Sequence, residues 1–265
     1  MLELNKITKT FYKNTSNENQ ALSQIKLNVN RGDFISIIGS NGAGKSTLLN
    51  CIAGVHEVSE GQIFLDNTDI TYISEHQRAK YIGRVFQDPL LGTSPEMTIE
   101  ENLSLAFKKT KNLSLKWGLN QHKRDYIKEK LKEIDLGLEE RMSTKVKLLS
   151  GGQRQALTLL MATMTKPKLL LLDEHTAALD PNTAIKIKRL TQRLIKKNKI
   201  TTLMITHDMK DAIEMGNRLI MMNKGDVILD IKGDKKKKMT VNKLLNLFKK
   251  KQGDQYSNDR TLLSV

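Results

Sequence analysis

The chain has 265 residues, of which 38% are hydrophobic and 28% are charged, a composition that supports a folded core of one large or two small domains. Its one cysteine, Cys51, excludes an internal disulfide, and its five histidines show no metal-ligand spacing, which argues against a structural zinc site. We expect neither a signal peptide nor a membrane-spanning segment, because no apolar run is long enough for either. We therefore expect neither a secreted protein nor an integral membrane protein nor a disulfide scaffold.

The formal net charge of +15 is concentrated near the carboxyl end. Residues 186–265 hold 20 basic and 8 acidic side chains, including the lysine runs Lys235–Lys238 and Lys249–Lys251. We therefore expect residues 233–265 to form a basic, loosely held tail. This tail has two aromatic residues, Phe248 and Tyr256, too few to stack on successive bases, so nucleic acid is not expected as a specific partner.

Strand and helix patterns alternate along most of the chain. Residues 1–33 and 56–73 alternate weakly between apolar and polar side chains and carry turn signals, which predicts antiparallel strands beside the main sheet. Short apolar runs predict buried parallel strands, and amphipathic stretches between them predict helices. The strands are Phe34–Ile38, Val85–Phe86, Lys168–Leu172, Thr202–Ile205 and Leu219–Met222; the helices are Lys45–Ala53, Gln153–Met164, Asn182–Lys197 and Met209–Met215.

The fold class is therefore α/β, with a mainly parallel sheet and an antiparallel β subdomain. Residues 95–165 have an almost wholly helical pattern, which predicts an inserted helical subdomain. Its first clear helix begins near Thr98, with Glu101 three residues later as in a capping box. We place the folded domain at residues 1–232 and the tail at 233–265.

A phosphate-binding loop follows the first predicted parallel strand. The pattern G-x-x-x-x-G-K-[ST] is met by Gly39, Ser40, Asn41, Gly42, Ala43, Gly44, Lys45, Ser46 and Thr47. Glycines allow backbone N–H groups to approach phosphate oxygens, and the helix amino terminus adds its positive end. Lys45 is predicted to reach the β- and γ-phosphates and Ser46 to complete a Mg²⁺ shell, as in a P-loop NTPase core.

Two carboxylates end the strand at 168–172. Charges at the mouth of a buried strand are costly unless a cation or a proton transfer uses them. We predict Asp173 to be a Mg²⁺ ligand, direct or through water, and Glu174 to be the general base for an attacking water.

The segment Leu149–Gln155, with the sequence LSGGQRQ, is the most specific feature of the chain. Ser150 is a predicted N-cap with Gln153 three residues later, but a capping box alone requires no Gly151-Gly152 pair. With this segment, the chain resembles the nucleotide-binding subunits of ABC transporters, whose signature is LSGGQ. The resemblance covers about residues 1–230.

The resemblance implies roles for further residues. Phe11 matches the aromatic that stacks on adenine, with Tyr12 as the fallback, and Gln87 matches the glutamine that touches Mg²⁺ and links the helical subdomain to the core. His207 matches the switch histidine near the γ-phosphate, and Ala177–Asp180 the loop that crosses between subunits. The implied cofactors are ATP and Mg²⁺. In total, the expected catalytic residues are Lys45, Gln87, Glu174 and His207; the metal ligands are Ser46, Gln87 and Asp173; and Ser150, Gly151, Gly152 and Gln153 hold the nucleotide of a second subunit.

The chain departs from the family pattern at two places. His175 stands where family members more often have proline, and we expect it to be a surface loop residue. Residues 144–148 lack the Glu-Arg-Gly element of many exporters, which favours an importer-type subunit.

One chain has one phosphate loop and one signature, so the resemblance implies a homodimer, or a heterodimer with a similar subunit, on ATP binding. It also implies a separate membrane permease docked on residues 95–165, a solute-binding protein if the system is an importer, and a position at the cytoplasmic face of the membrane. An imported amino acid or similar small solute is favoured. The alternatives are an exporter subunit, a soluble relative acting on nucleic acid or the ribosome, and a P-loop kinase or GTPase; the last has no signature segment.

Overall fold

The computed structural model describes residues 1–108 and 121–252. It divides into two compact units, one of residues 1–78 with those from 201 onward, and one of residues 79–200. The strands are β1 (Leu2–Phe11), β2 (Asn19–Val29), β3 (Phe34–Gly39), β4 (Glu60–Leu65), β5 (Thr68–Asp69), β6 (Ile82–Val85), β7 (Leu169–Asp173), β8 (Thr201–Ile205), β9 (Arg218–Asn223) and β10 (Asp226–Lys232). The helices are α1 (Lys45–Ala53), α2 (Glu75–Arg78), α3 (Ile99–Lys108), α4 (Gln121–Lys132), α5 (Gly151–Met164), α6 (Pro181–Asn198), α7 (Met209–Glu214), α8 (Asp234–Lys237) and α9 (Val241–Gln252).

The first unit contains both predicted kinds of sheet. Strands β2, β1, β4 and β5 form the antiparallel sheet, in that order. Strand β3 pairs in parallel with β8 on one side and β9 on the other, and β10 adds an antiparallel edge to β9. Every residue of β3 is buried, as expected of a central strand covered on both faces.

The second unit contains the parallel pair β6 and β7 and the helices α3, α4, α5 and α6. Val85 of β6 pairs with Leu172 of β7, so both strands end at the same edge. Helices α3, α4 and α5 occupy the predicted helical stretch, of which residues 109–120 lie outside the described part. The predicted capping box is confirmed: Thr98 N donates to Glu101 Oε2 (2.7 Å), and Glu101 N donates to Thr98 Oγ1 (3.3 Å).

The carboxyl-terminal segment differs from the expected loose tail. Residues 234–237 form α8 and residues 241–252 form α9, and Leu244 and Phe248 of α9 are buried against Met209 and Ala212 of α7. The Lys236 ammonium is buried as well and donates to the carbonyl oxygens that follow α7, those of residues 213, 215 and 216, at 2.7–3.0 Å. The part of the tail that the structure describes is thus packed on the fold.

No helix in the described ranges is long and apolar enough to span a bilayer.

Candidate functional site

The phosphate loop joins β3 to α1 and is shaped by glycine. Gly44 has a φ of +94°, and a Cβ there would lie 2.5 Å from the Ala21 carbonyl oxygen, so no other residue fits without a shift. Lys45 is 7% exposed, and its Nζ donates to the carbonyl oxygens of Gly39 (2.7 Å) and Ser40 (2.9 Å), which holds the loop in a tight turn. Ser46, in the first turn of α1, is exposed. This compact turn at a helix amino terminus suits an anionic phosphate chain.

His207 lies at the same edge of the sheet as the phosphate loop. Ile37 of β3 pairs with Ile205 of β8 in parallel register, and Thr206 N donates to the Ile37 carbonyl oxygen (3.1 Å). His207 follows and is exposed, while Asp208 caps α7 by accepting from the N–H of Lys210 at 2.7 Å. The cap fixes the turn that presents the histidine.

The two candidates for the adenine-stacking residue differ in their surroundings. The Phe11 ring, at the end of β1, meets His56 edge-on at 5.3 Å between centroids, and Lys9 Nζ lies 4.9 Å from its centroid. Tyr12 is 72% exposed and has a φ of +52°. Either assignment stays a prediction.

Three predicted site residues lie at one edge of the β6–β7 pair. Gln87 is exposed and comes two residues after β6, and Asp173 ends β7 and is half-buried. Glu174 is half-buried and has a φ of +43°, in the left-handed region that favours glycine. A non-glycine residue in this conformation stores strain that surrounding contacts must hold.

The signature segment presents its first residues to solvent. The predicted capping box is confirmed, with Gln153 N donating to Ser150 Oγ and Ser150 N donating to Gln153 Oε1, both at 3.2 Å. Ser150 and Gly151 are exposed, at the positive end of the 14-residue helix α5. The segment is therefore available to an anionic group.

Gly152 is buried at the junction of α5 with α6. A Cβ at Gly152 would lie 2.2 Å from Thr183 Cγ2, in the first turn of α6. Asp180 caps that turn: its Oδ1 accepts from Thr183 N at 3.0 Å, and these hydrogen bonds with Thr183 lower the pKa of Asp180 below its usual value. The signature helix therefore packs directly on the first turn of α6, which follows the predicted inter-subunit loop at 177–180.

The structure adds two residues that the motif reasoning did not assign. The Arg154 guanidinium donates to the carbonyl oxygens of residues 146, 147 and 149, which fixes the segment before the signature. Gln155 is 1% exposed, and its Nε2 donates to the Phe86 carbonyl oxygen (3.3 Å), one residue before Gln87. Both directly follow LSGGQ, and this position next to the signature was the signal in the sequence; their contacts are visible in the structure alone.

His175 corrects the expectation of a surface loop residue. It is 3% exposed, and its Nε2 lies 3.0 Å from Thr191 Oγ1 of α6. Burial lowers the pKa of His175 to about 4, because it disfavours the imidazolium, and the charge of Lys188 adds to the effect. Its neighbours in the printed sequence, Glu174 and Thr176, gave no indication of this burial.

A phosphate loop, an LSGGQ helix cap and a carboxylate pair after a buried strand, in this order along an α/β chain, define an ATP-binding cassette. A family model for the ABC transporter matches residues 22–177. The chain belongs to the ABC transporter family and is an ATPase. The predictions of an importer-like ATP-binding subunit and of an α/β P-loop fold are both confirmed by the proteins that this chain resembles.

It is 48% identical over 248 residues to the tyrosine transport ATP-binding protein of Clostridioides difficile (strain R20291), which covers 94% of this chain and 98% of that protein. It is 35% identical to the spermidine/putrescine import ATP-binding protein PotA of Pasteurella multocida, over 87% of this chain and 58% of that protein. Among solved structures, the dimeric cassette MJ0796 in a post-hydrolysis state with ADP and Pi is 33% identical, with a TM-score of 0.74 over 88% of this chain and 98% of that one. The roles of individual side chains stay predictions.

Proposed function

We propose that this chain hydrolyses ATP in a site shared with a second cassette and thereby drives the import of an amino acid or similar small solute through a separate membrane permease. The observation that carries the proposal is its 48% identity, over nearly the full length of both chains, with a tyrosine transport ATP-binding protein. Membership of the ABC family supports a position at the cytoplasmic face of the membrane, and we expect a solute-binding protein as a further partner if the system is an importer.

Two features support a site shared between cassettes. The sequence contains one phosphate loop and one signature segment. The exposed Ser150 and Gly151 lie at a helix amino terminus, where backbone N–H groups and the helix dipole favour a phosphate. A second cassette, the same chain or a similar one, supplies the nucleotide that this surface binds. ATP then stabilises the closed pair more than the open one, and hydrolysis releases it.

The phosphate loop and the predicted metal ligands together have the chemistry to bind a nucleotide with its Mg²⁺ ion. The backbone of residues 39–47 and the Lys45 ammonium bind the β- and γ-phosphates. The predicted metal ligands Ser46, Gln87 and Asp173 offer hydroxyl, amide and carboxylate oxygens, which is the donor set that Mg²⁺ takes beside substrate phosphates. The ion, when bound, neutralises charge that develops on the phosphates.

The remaining polar residues act on the attacking water and the γ-phosphate. The Glu174 carboxylate accepts a proton from the water, and Gln87 and His207 orient groups around the phosphoryl group. Phe11 or Tyr12 stacks on adenine.

The shared site is tested with Glu174→Gln, which removes the base and keeps the shape of the side chain. In ATP and Mg²⁺ this variant is expected to dimerise, to about twice the 30.1 kDa of one chain, and in ADP to stay monomeric. Light scattering after size exclusion measures the mass, and Glu174→Gln with Lys45→Ala is the matched control that loses the phosphate contact. If the variant stays monomeric in ATP on its own, and two cassettes do not associate in the assembled transporter either, the shared site is contradicted.

The permease is expected to dock on residues 95–165. Leu105 and Leu148 of this segment are exposed, and exposed large apolar side chains are available to a partner.

The solute is tested by uptake. Cells lacking this chain are complemented with the wild type or Glu174→Gln and given labelled tyrosine or labelled spermidine. We expect the wild type alone to restore tyrosine uptake. If the wild type restores the uptake of spermidine and not of tyrosine, the solute class is wrong and is instead that of the PotA relatives. If cells lacking this chain fail to export the labelled solute, the transporter is an exporter and not an importer.

A further inference from the structure

His175 is a buried polar residue for which the proposed mechanism has no use. It directly follows Glu174 in the loop between β7 and α6, and it is 3% exposed. Its partner Thr191 is fully buried in the middle of α6. The 3.0 Å contact between His175 Nε2 and Thr191 Oγ1 thus links the residue after the predicted base to a rigid helix.

The direction of this hydrogen bond follows from the second contact of Thr191. A threonine hydroxyl has one proton, and Thr191 Oγ1 donates it to the Ile187 carbonyl oxygen at 2.8 Å. The Thr191 oxygen can therefore only accept from the ring, so His175 carries its proton on Nε2 and is the donor. The ring is held in one tautomer and one orientation.

The backbone beside His175 requires support. Glu174 is left-handed, and its carbonyl oxygen accepts from Ala177 N at 3.0 Å, which closes a tight turn. A non-glycine residue in this region is strained and keeps the conformation only where its surroundings enforce it. Because His175 is the next residue, its buried ring fixes the turn from one side while β7 fixes it from the other.

We propose that His175 is a positioning residue whose hydrogen bond to Thr191 holds the left-handed turn at Glu174 and so directs the Glu174 carboxylate to the attacking water. This inference rests on the proposed role of Glu174 as the base. Without the bond, the carboxylate samples more orientations, so the rate falls while ATP binding, which uses the phosphate loop, does not change.

The bond is tested by removing each partner with little change of shape. His175→Phe keeps a ring and loses the donor, and Thr191→Val keeps the branched side chain and loses the acceptor. Each full-length variant is expected to lower kcat for ATP by about tenfold and to leave KM within about twofold. The double variant is expected to be no slower than the slower single one, because both remove the same bond.

A rescue and a control separate positioning from general damage. In His175→Gln the amide Nε2 can donate from nearly the same place, and we expect kcat to return to within about threefold of the wild type. Gln192→Ala, an exposed neighbour on α6, is expected to leave kcat unchanged. Binding of a non-hydrolysable ATP analogue confirms that each variant is folded; if His175→Phe does not fold, the Thr191→Val and His175→Gln results decide.

The outcomes distinguish this inference from the function on which it rests. If Glu174→Gln abolishes hydrolysis but Thr191→Val and His175→Phe keep the wild-type kcat, the positioning role is wrong and the base stands. Multiplicative losses in the double variant, or a parallel rise of KM, would also overturn it. If Glu174→Gln hydrolyses ATP like the wild type, the proposed base is wrong.

Discussion

The contact between the signature helix and α6 predicts a large difference between two adjacent glycines. At Gly152 an added Cβ would lie 2.2 Å from Thr183 Cγ2, whereas at Gly151 it would lie 3.6 Å from Leu179 Cδ2, an ordinary van der Waals distance. Carbon atoms in contact normally stay about 3.5–4.0 Å apart. The substitution Gly152→Ala therefore forces Thr183 or the helix to move, and Gly151→Ala does not.

The magnitude follows from two opposing effects. Overpacking a well-packed site costs about 1–3 kcal/mol. Replacing glycine by alanine in a helix gains up to about 1 kcal/mol. We therefore expect Gly152→Ala to lower the free energy of unfolding by about 1–2 kcal/mol, and Gly151→Ala to leave it unchanged or raise it slightly. For a chain of this size, the loss corresponds to a fall in Tm of about 2–4 °C.

The assay is thermal unfolding of the nucleotide-free chain, because bound ATP would add its own stabilisation. Adding Thr183→Ala to Gly152→Ala removes the clashing methyl group and keeps the backbone N–H that Asp180 caps. This double variant is expected to recover most of the loss. Equal Tm values for Gly151→Ala and Gly152→Ala would refute the reasoning, since they would show that Thr183 rotates away at no cost.

Two further predictions concern the carboxyl-terminal helices. Leu244→Ala is expected to lower the free energy of unfolding, measured by chemical denaturation, by about 2–5 kcal/mol, because it opens a cavity beside α7. The control Asn246→Ala, at an exposed position of α9, is expected to change this free energy by less than about 0.5 kcal/mol. Equal values for the two variants would mean that α9 contributes nothing to the core. Burial lowers the pKa of Lys236 from 10.5 to about 8. Between these pH values the unfolded chain therefore binds the proton more tightly than the folded one, so the stability of the wild type relative to Lys236→Met should rise with pH. A fall of this relative stability with pH would mean that the three carbonyl partners of Lys236 raise its pKa instead.

The sequence predicted well those elements whose signal is local. The boundaries of α1 are as predicted, because the phosphate loop fixes where the helix begins and Gly54 ends it. The capping boxes at Thr98 and Ser150 are confirmed for the same reason: each needs two residues three positions apart.

The carboxyl-terminal helix was missed because charge obscured a weaker pattern. Lysines dominate residues 233–251, yet Val241, Leu244, Leu245 and Phe248 have the i, i+3, i+4, i+7 spacing of an apolar helix face. Phe248, considered as a possible base-stacking residue, belongs to this buried face, and Tyr256 lies outside the described residues. Net charge describes the solvent side of such a segment and does not determine whether its other side packs.

The burial of His175 was missed for a different reason, and the same reason bears on its proposed role in positioning Glu174. The burial of a loop residue depends on a distant partner, here Thr191 on α6, and no local spacing relates the two. The notable local fact is the left-handed backbone of Glu174, which only the structure reveals. A strained residue at a reactive carboxylate requires an anchor nearby, and proline, the usual family residue at position 175, restricts the backbone through its own ring. A histidine has no such restriction, so in this chain the same rigidity must come from the side chain, through a hydrogen bond to a helix that is already fixed.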